Sequence, residues 1–155
     1  MNYWNGLSTA AKILLVAGLL MFIDLFLAWQ QAERCVNIGG TNVCGGGSLS
    51  GWDGVGVVTG LFVIALLLWE GAQLAGVTAS LTVPVALISA GLAAGVALFA
   101  IIEFFTHNEF RHWPAWVGLI LGIVIAVGGW LRLQAGPETP IVRRTTMPPP
   151  APPPA

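Results

Sequence analysis

The sequence predicts an all-α membrane protein: a four-transmembrane-helix bundle with short loops and a disordered, proline-rich C-terminal tail. Three observations carry that prediction. Of 155 residues, 56% are hydrophobic and only 8% charged, where a soluble domain carries roughly a quarter. Four separate stretches of nearly uninterrupted apolar sequence reach about the 20 residues that a membrane-crossing helix needs. Apart from Pro84 and Pro114, every proline falls beyond residue 136. Six basic against seven acidic residues give a net charge of −1, so there is no basic field to recruit nucleic acid.

The expected spans are residues 9–29, 55–74, 84–105 and 114–131. None alternates as a barrel strand would, so the backbone must satisfy itself within helices. Pro84 and Pro114 stand where the third and fourth helices should begin, a position at which a missing N–H is harmless. Gly136-Pro137 closes the fourth. Trp29, Trp52, Trp113 and Trp116 fall at one end of the spans, and Trp4, Trp69 and Trp130 at or near the other, as in a two-sided aromatic belt. Lys12, Arg132, Arg143 and Arg144 lie on the side of the termini, and Arg34 and Arg111 on the other. That bias places both termini in the cytoplasm of a multi-pass plasma-membrane protein. Residues 1–135 then form the transmembrane domain and 136–155 the tail.

Helices in lipid associate by close backbone approach. Small residues recur at four-residue steps in Gly56/Gly60, Gly91/Gly95 and Gly118/Gly122, and the last stripe continues through Ala126 to Gly129. These faces are expected to join the helices to one another. The sharper alternative is that the stripe of the fourth helix docks a second protein.

The polar residues inside the spans are few. Asp24 shares a helical face with Ala17 and Ala28, which turns it toward the bundle. An ionised acid costs about 2.5–3.5 kcal/mol at mid-membrane, less nearer the surface, and is a candidate site by default. Glu103 lies near the same end of the third span, and Arg34 and Arg111 are the candidate ion-pair partners. Glu70, level with Lys12 and Arg132, reads as half of a surface ion pair. Only Thr59 and Ser89 add polarity elsewhere, too little for a transport path.

The outer loop, residues 30–53, contains Cys35 and Cys44, the chain's two cysteines, flanking Gly39-Gly40. A disulfide there would close a small hairpin-like ring on the oxidising side. His107 and His112 have a zinc-like spacing, but the eight residues between the cysteines are far too wide a gap for a zinc motif. No metal or cofactor is implied. Asp53 should sit near the N-terminus of the second helix, with Trp52 anchoring that start at the interface. No nucleophile–base pair, phosphate loop or metalloprotease motif occurs, so the chain does not read as an enzyme. The tail samples polyproline II; it is a solvated segment or a docking peptide for a cytoplasmic partner.

The segments FIDLFLAW (Phe22–Trp29) and SGWDGVG (Ser50–Gly56), the Gly/Ala-rich spans and the Pro-rich tail together resemble small four-helix integral membrane proteins of actinobacterial type. The resemblance implies a fold and a plasma-membrane location and carries over no active-site residue. The sequence thus points to a non-enzymatic accessory or scaffold protein packing into a larger membrane assembly. Its expected partners are membrane lipid, other membrane subunits or further copies of itself, and a soluble protein for the tail. The alternative is a small proton- or cation-coupled transporter or sensor using Asp24.

Overall fold

Six elements follow one another in the computed structural model: helix α1 (Thr9–Asp24), strands β1 (Ala28–Ile38) and β2 (Thr41–Ser50), and helices α2 (Gly56–Leu74), α3 (Val85–Thr106) and α4 (Trp113–Gln134). The structure describes residues 6–77, 84–106 and 112–135, the side chains of residues 32–34 excepted. Trp4, His107, Arg111, the Gly136-Pro137 stop and the whole tail lie outside the described residues.

The chain is mostly helical, and α2, α3 and α4 are each long and apolar enough to cross a membrane. The expectation of an all-α fold with short loops is corrected by a two-stranded antiparallel hairpin between α1 and α2. A second correction is local. The first helix stops at Asp24 rather than running to Trp29, which leaves 16 residues, about 24 Å of helix at 1.5 Å per residue. The apolar run continues past Asp24, but Trp29 turns back. Its indole Nε1 donates to the Asp24 carbonyl at 3.1 Å, and Leu27 N donates to the same oxygen at 3.0 Å. One of the helix's orphan C-terminal carbonyls is thereby satisfied without another turn.

The hairpin follows from its turn. Gly39 and Gly40 have φ of 62° and 85°, the left-handed pair that a two-residue type I′ connection demands and that glycine adopts freely. Register then runs outward from that turn: Ile38 opposite Thr41, Asn37 opposite Asn42, Val36 opposite Val43, Cys35 opposite Cys44. Cys35 and Cys44 are joined by a disulfide. Asn37 Nδ2 donates to Asn42 Oδ1 at 3.0 Å, and Gly40 N donates to Asn37 Oδ1 at 3.1 Å.

The four helices form an antiparallel ring in chain order. Leu67 of α2 lies over Gly18 of α1, Phe62 of α2 over Gly95 of α3, Ala97 and Ala100 of α3 over Gly122 of α4, and Leu14 of α1 over Gly128 of α4. The core runs down the middle through Leu14, Met21, Leu25, Val63, Leu66, Val96, Phe104 and Ile125, with Trp29 capping it. Large apolar side chains are also exposed on the outer surface of every helix, among them Leu19, Leu61, Leu98 and Ile120.

Among the described side chains the hairpin is buried against the helices at its base, at Trp29 and Gln30, and exposed beyond it, so its stability is separable from theirs. Closing a ring of this size constrains the unfolded chain by about 2–3 kcal/mol. A Cys35→Ser/Cys44→Ser variant is expected to lose amide protection from Val36 to Val43 in hydrogen exchange while the helical amides hold theirs. Equal loss in both would mean that the hairpin folds as one unit with the helices.

Candidate functional site

Polar chemistry gathers at both ends of the ring. At the hairpin end, Asp24 is 3% exposed, and neither carboxylate oxygen has a hydrogen-bond partner among the described residues. α4 makes room for it. A Cβ at Gly118 would run into the Trp29 ring and lie 2.8 Å from Asp24 Oδ2. Trp29 itself is 1% exposed, wedged between Gly118 and Gly51, and His112 N donates to its carbonyl at 2.8 Å. The expected interfacial anchor is therefore a buried plug. Ala28, expected on the helical face of Asp24, belongs instead to β1.

Trp52 also turns inward rather than toward an interface. Its ring covers Gly60 and packs edge-on against Phe22 at 6.1 Å and tilted against Phe26 at 5.5 Å. Asp53 does not cap α2, whose N-cap is Val55. Its Oδ2 instead accepts from Ser50 N at 2.7 Å and Ser50 Oγ at 3.0 Å, which closes the SGWDG turn. Gly56 then sits directly against the Gly51 carbonyl. Glu103 is 4% exposed on α3, beneath the Gly54 link, where a Cβ would lie 4.0 Å from its Oε2. Of the two arginines expected to pair with these acids, Arg111 and the side chain of Arg34 lie outside the described residues.

The glycines divide by what covers them. Gly95, Gly118, Gly122 and Gly129 receive neighbouring elements, Gly56 and Gly60 receive the SGWDG turn, and Gly91 faces open space. The α4 stripe is spent inside the ring on α3 and on Trp29, so it is not a free surface for a second protein. Gly91→Ala should leave the thermal midpoint in detergent unchanged or slightly raised, by alanine's better helix propensity. Gly95→Ala must displace the Phe62 ring, which stacks on Phe99 at 5.4 Å, and should cost about 1–3 kcal/mol. Equal effects at the two positions would contradict this division.

At the far end lies a polar cluster that sequence reasoning understated. Glu70 and Arg132 do pair, Nη2 to Oε2 at 3.6 Å, but with side chains 1% and 6% exposed, so the pair is buried, not a surface bridge. Ser89 Oγ donates to Glu70 Oε1 at 2.6 Å, and Gln73 Nε2 donates to the same oxygen at 3.3 Å. Arg132 donates to Gln73 Oε1 and, through Nη1, to Ser8 Oγ at 2.9 Å. Ser8 is itself the N-cap of α1. The cluster thus takes one or more groups from each helix. Its signal was in the sequence: Glu70 and Gln73 share a face at i, i+3, and Ser8, Ser89 and Arg132 stand at the same depth.

Among the described residues no group of three or more His, Cys, Asp or Glu could hold a metal ion. No known family, no curated protein and no solved structure matches this chain.

Proposed function

We propose that this chain is a non-enzymatic accessory or scaffold protein of the plasma membrane. It crosses the bilayer as a four-helix bundle with both termini cytoplasmic and presents the hairpin outside. The shorter α1 spans with its turn through Leu27, and the bilayer thins locally to meet it. The observation that carries the reading is the hairpin. Strands of eleven and ten residues joined by a disulfide run out from a base that Trp29 and Gln30 bury against the helices, and the described side chains beyond that base are exposed on both faces. A pre-ordered element of that kind presents a fixed surface to a partner at little entropic cost. The basic residues on the terminal side support the orientation, as does a disulfide on the opposite side. The proline tail offers a second contact, to a soluble cytoplasmic protein.

The test is a photoreactive residue at Asn42, activated in intact cells, followed by purification in mild detergent and mass spectrometry. A single stoichiometric companion crosslinked from the hairpin is the expected result. Recovery of the chain alone, or only of its own oligomer, would overturn the reading.

A second reading has one specific observation behind it, the buried carboxylate of Asp24, which has no hydrogen-bond partner among the described residues. A small proton- or cation-coupled transporter or sensor would use it as the binding group. Asp24→Asn spares assembly in the first reading. In the second it abolishes ion flux into proteoliposomes, and unchanged flux would dismiss it.

A further inference from the structure

The hairpin is two-faced. Paired residues of an antiparallel ladder share a face, and successive residues alternate. The observed register therefore puts Val36, Val43, Ile38, Thr41 and Leu49 on one side, together with the positions of Gln30, Ala32 and Arg34, and the disulfide, Asn37, Asn42, Gln31, Ser48 and the position of Glu33 on the other. The four apolar side chains are 46–64% exposed. On β2, between Val43 and Leu49, this face carries only Gly45 and Gly47, where a Cβ would meet nothing within 4 Å; their partners on β1 are Arg34 and Ala32, and an arginine at that position suits the headgroup level of a membrane. No charged residue occurs anywhere in β2.

The level at which this face leaves the helices is also fixed. The hydrogen bond from His112 N to Trp29 O ties the base of β1 to the start of α4. Trp113 and Trp116 stand there 61% and 53% exposed, as tryptophans do at headgroup depth. Ile23, Phe26 and Leu27, exposed at the end of α1 and in the turn after it, carry the apolar outer surface of the helices up to the hairpin.

We infer that the apolar face of the hairpin rests on the lipid of the membrane that the helices cross. Val36, Ile38 and Val43 enter the headgroup–acyl boundary, and the disulfide and Asn37–Asn42 face looks into water. The occupant is lipid because the exposed apolar surface of the helices reaches the hairpin's own base, where this face begins at Leu49, while on the opposite face Asn37 and Asn42 bond to each other beside the disulfide. The inference rests on the membrane reading above and sharpens it: a partner of the hairpin meets the disulfide–asparagine face.

The test uses the full, oxidised chain in phosphatidylcholine vesicles. A single added cysteine with an environment-sensitive fluorophore is placed at Val36, Ile38 or Val43, at Asn42 or Ser48, or at Leu98 on the exposed side of α3. Lipid-borne nitroxide and aqueous iodide serve as quenchers. All the hairpin positions are exposed, so the labels leave the fold intact. The expected result is at least threefold stronger lipid quenching at Val36, Ile38 and Val43 than at Asn42 and Ser48, with iodide showing the reverse order. Failure of lipid to quench at Leu98 would overturn the membrane reading itself. With Leu98 quenched by lipid, iodide access to both hairpin faces would put the hairpin in water and overturn the inference. Shielding of the apolar face from both quenchers would overturn it in favour of a second copy.

Discussion

A single methyl group at position 118 is expected to destabilise the hairpin end of the molecule by about 1–3 kcal/mol, the usual range for an overpacked core. The Gly118 Cβ has no free volume, because the six-membered ring of Trp29 and one Asp24 oxygen already occupy it. Neither neighbour yields cheaply. Trp29 is pinned by its indole bond to the Asp24 carbonyl and by His112 N on its own carbonyl, and Asp24 closes α1. Gly118→Ala should therefore lower the thermal midpoint in detergent. Trp29→Phe removes the ring atoms that clash, so Gly118→Ala should cost at least 1 kcal/mol less in the Trp29→Phe background than alone, a coupling that a double-mutant cycle reads directly. Additive effects would mean that the two residues do not share this space.

That contact marks the limit of what the sequence made legible. Apolar runs of about 20 residues announce α2, α3 and α4 because length and composition are properties of the chain alone. The end of α1 was not legible: Leu25–Trp29 is as apolar as the residues before it, and the turn depends on a glycine 89 positions later, at 118. Azimuth was the other blind spot. Depth along a helix can be counted in residues, which put Glu70 level with Arg132, but whether two side chains meet inside the ring or on its surface depends on helix rotation. Trp29 and Trp52 were misplaced for another reason: both stand in the connection between α1 and α2, whose turns aim them back at the helices. The hairpin left a clearer trace. CVNIGGTNVC (Cys35–Cys44) reads almost identically in both directions about Gly39-Gly40, so residues destined to face one another are matched in kind. Beyond that palindrome the strands hold, apart from Trp29, no β-branched or aromatic residue, and Gly45–Gly47 interrupt β2, which is why a ring was expected and long strands were not.

Removing one member of the Glu70–Arg132 pair should be the most damaging single change in the chain. Arg132→Leu leaves the Glu70 carboxylate, 1% exposed, with Ser89 and Gln73 as its hydrogen-bond partners among the described residues. Breaking a buried pair in this way costs about 3–5 kcal/mol, because the surviving charge is stranded. It also takes a hydrogen bond from Ser8, the cap of α1, so the loss should reach all four helices rather than α4 alone. Replacing both charges tells a different story. In Glu70→Leu/Arg132→Met no charge is stranded, and a buried pair exchanged for apolar side chains of similar size is typically neutral or stabilising. The double variant should recover most of the stability lost by Arg132→Leu in detergent unfolding. What it should not recover is uniqueness. The pair joins α2 to α4, which are not neighbours in the ring, and it does so through Ser89 of α3 and Ser8 before α1, so it specifies the rotation of each helix about its own axis. Gly118, Gly122, Gly95 and Gly18 are productive only in that rotation, since each must face one particular side chain. Hydrogen-exchange protection in the double variant should accordingly be weaker and more heterogeneous at those glycine contacts than in the native chain, at similar midpoint. A double variant as unstable as Arg132→Leu would show that Gln73, Ser89 and Ser8 need the charges to stay buried. Native-like protection throughout would assign the choice of helix rotation to the glycine contacts alone.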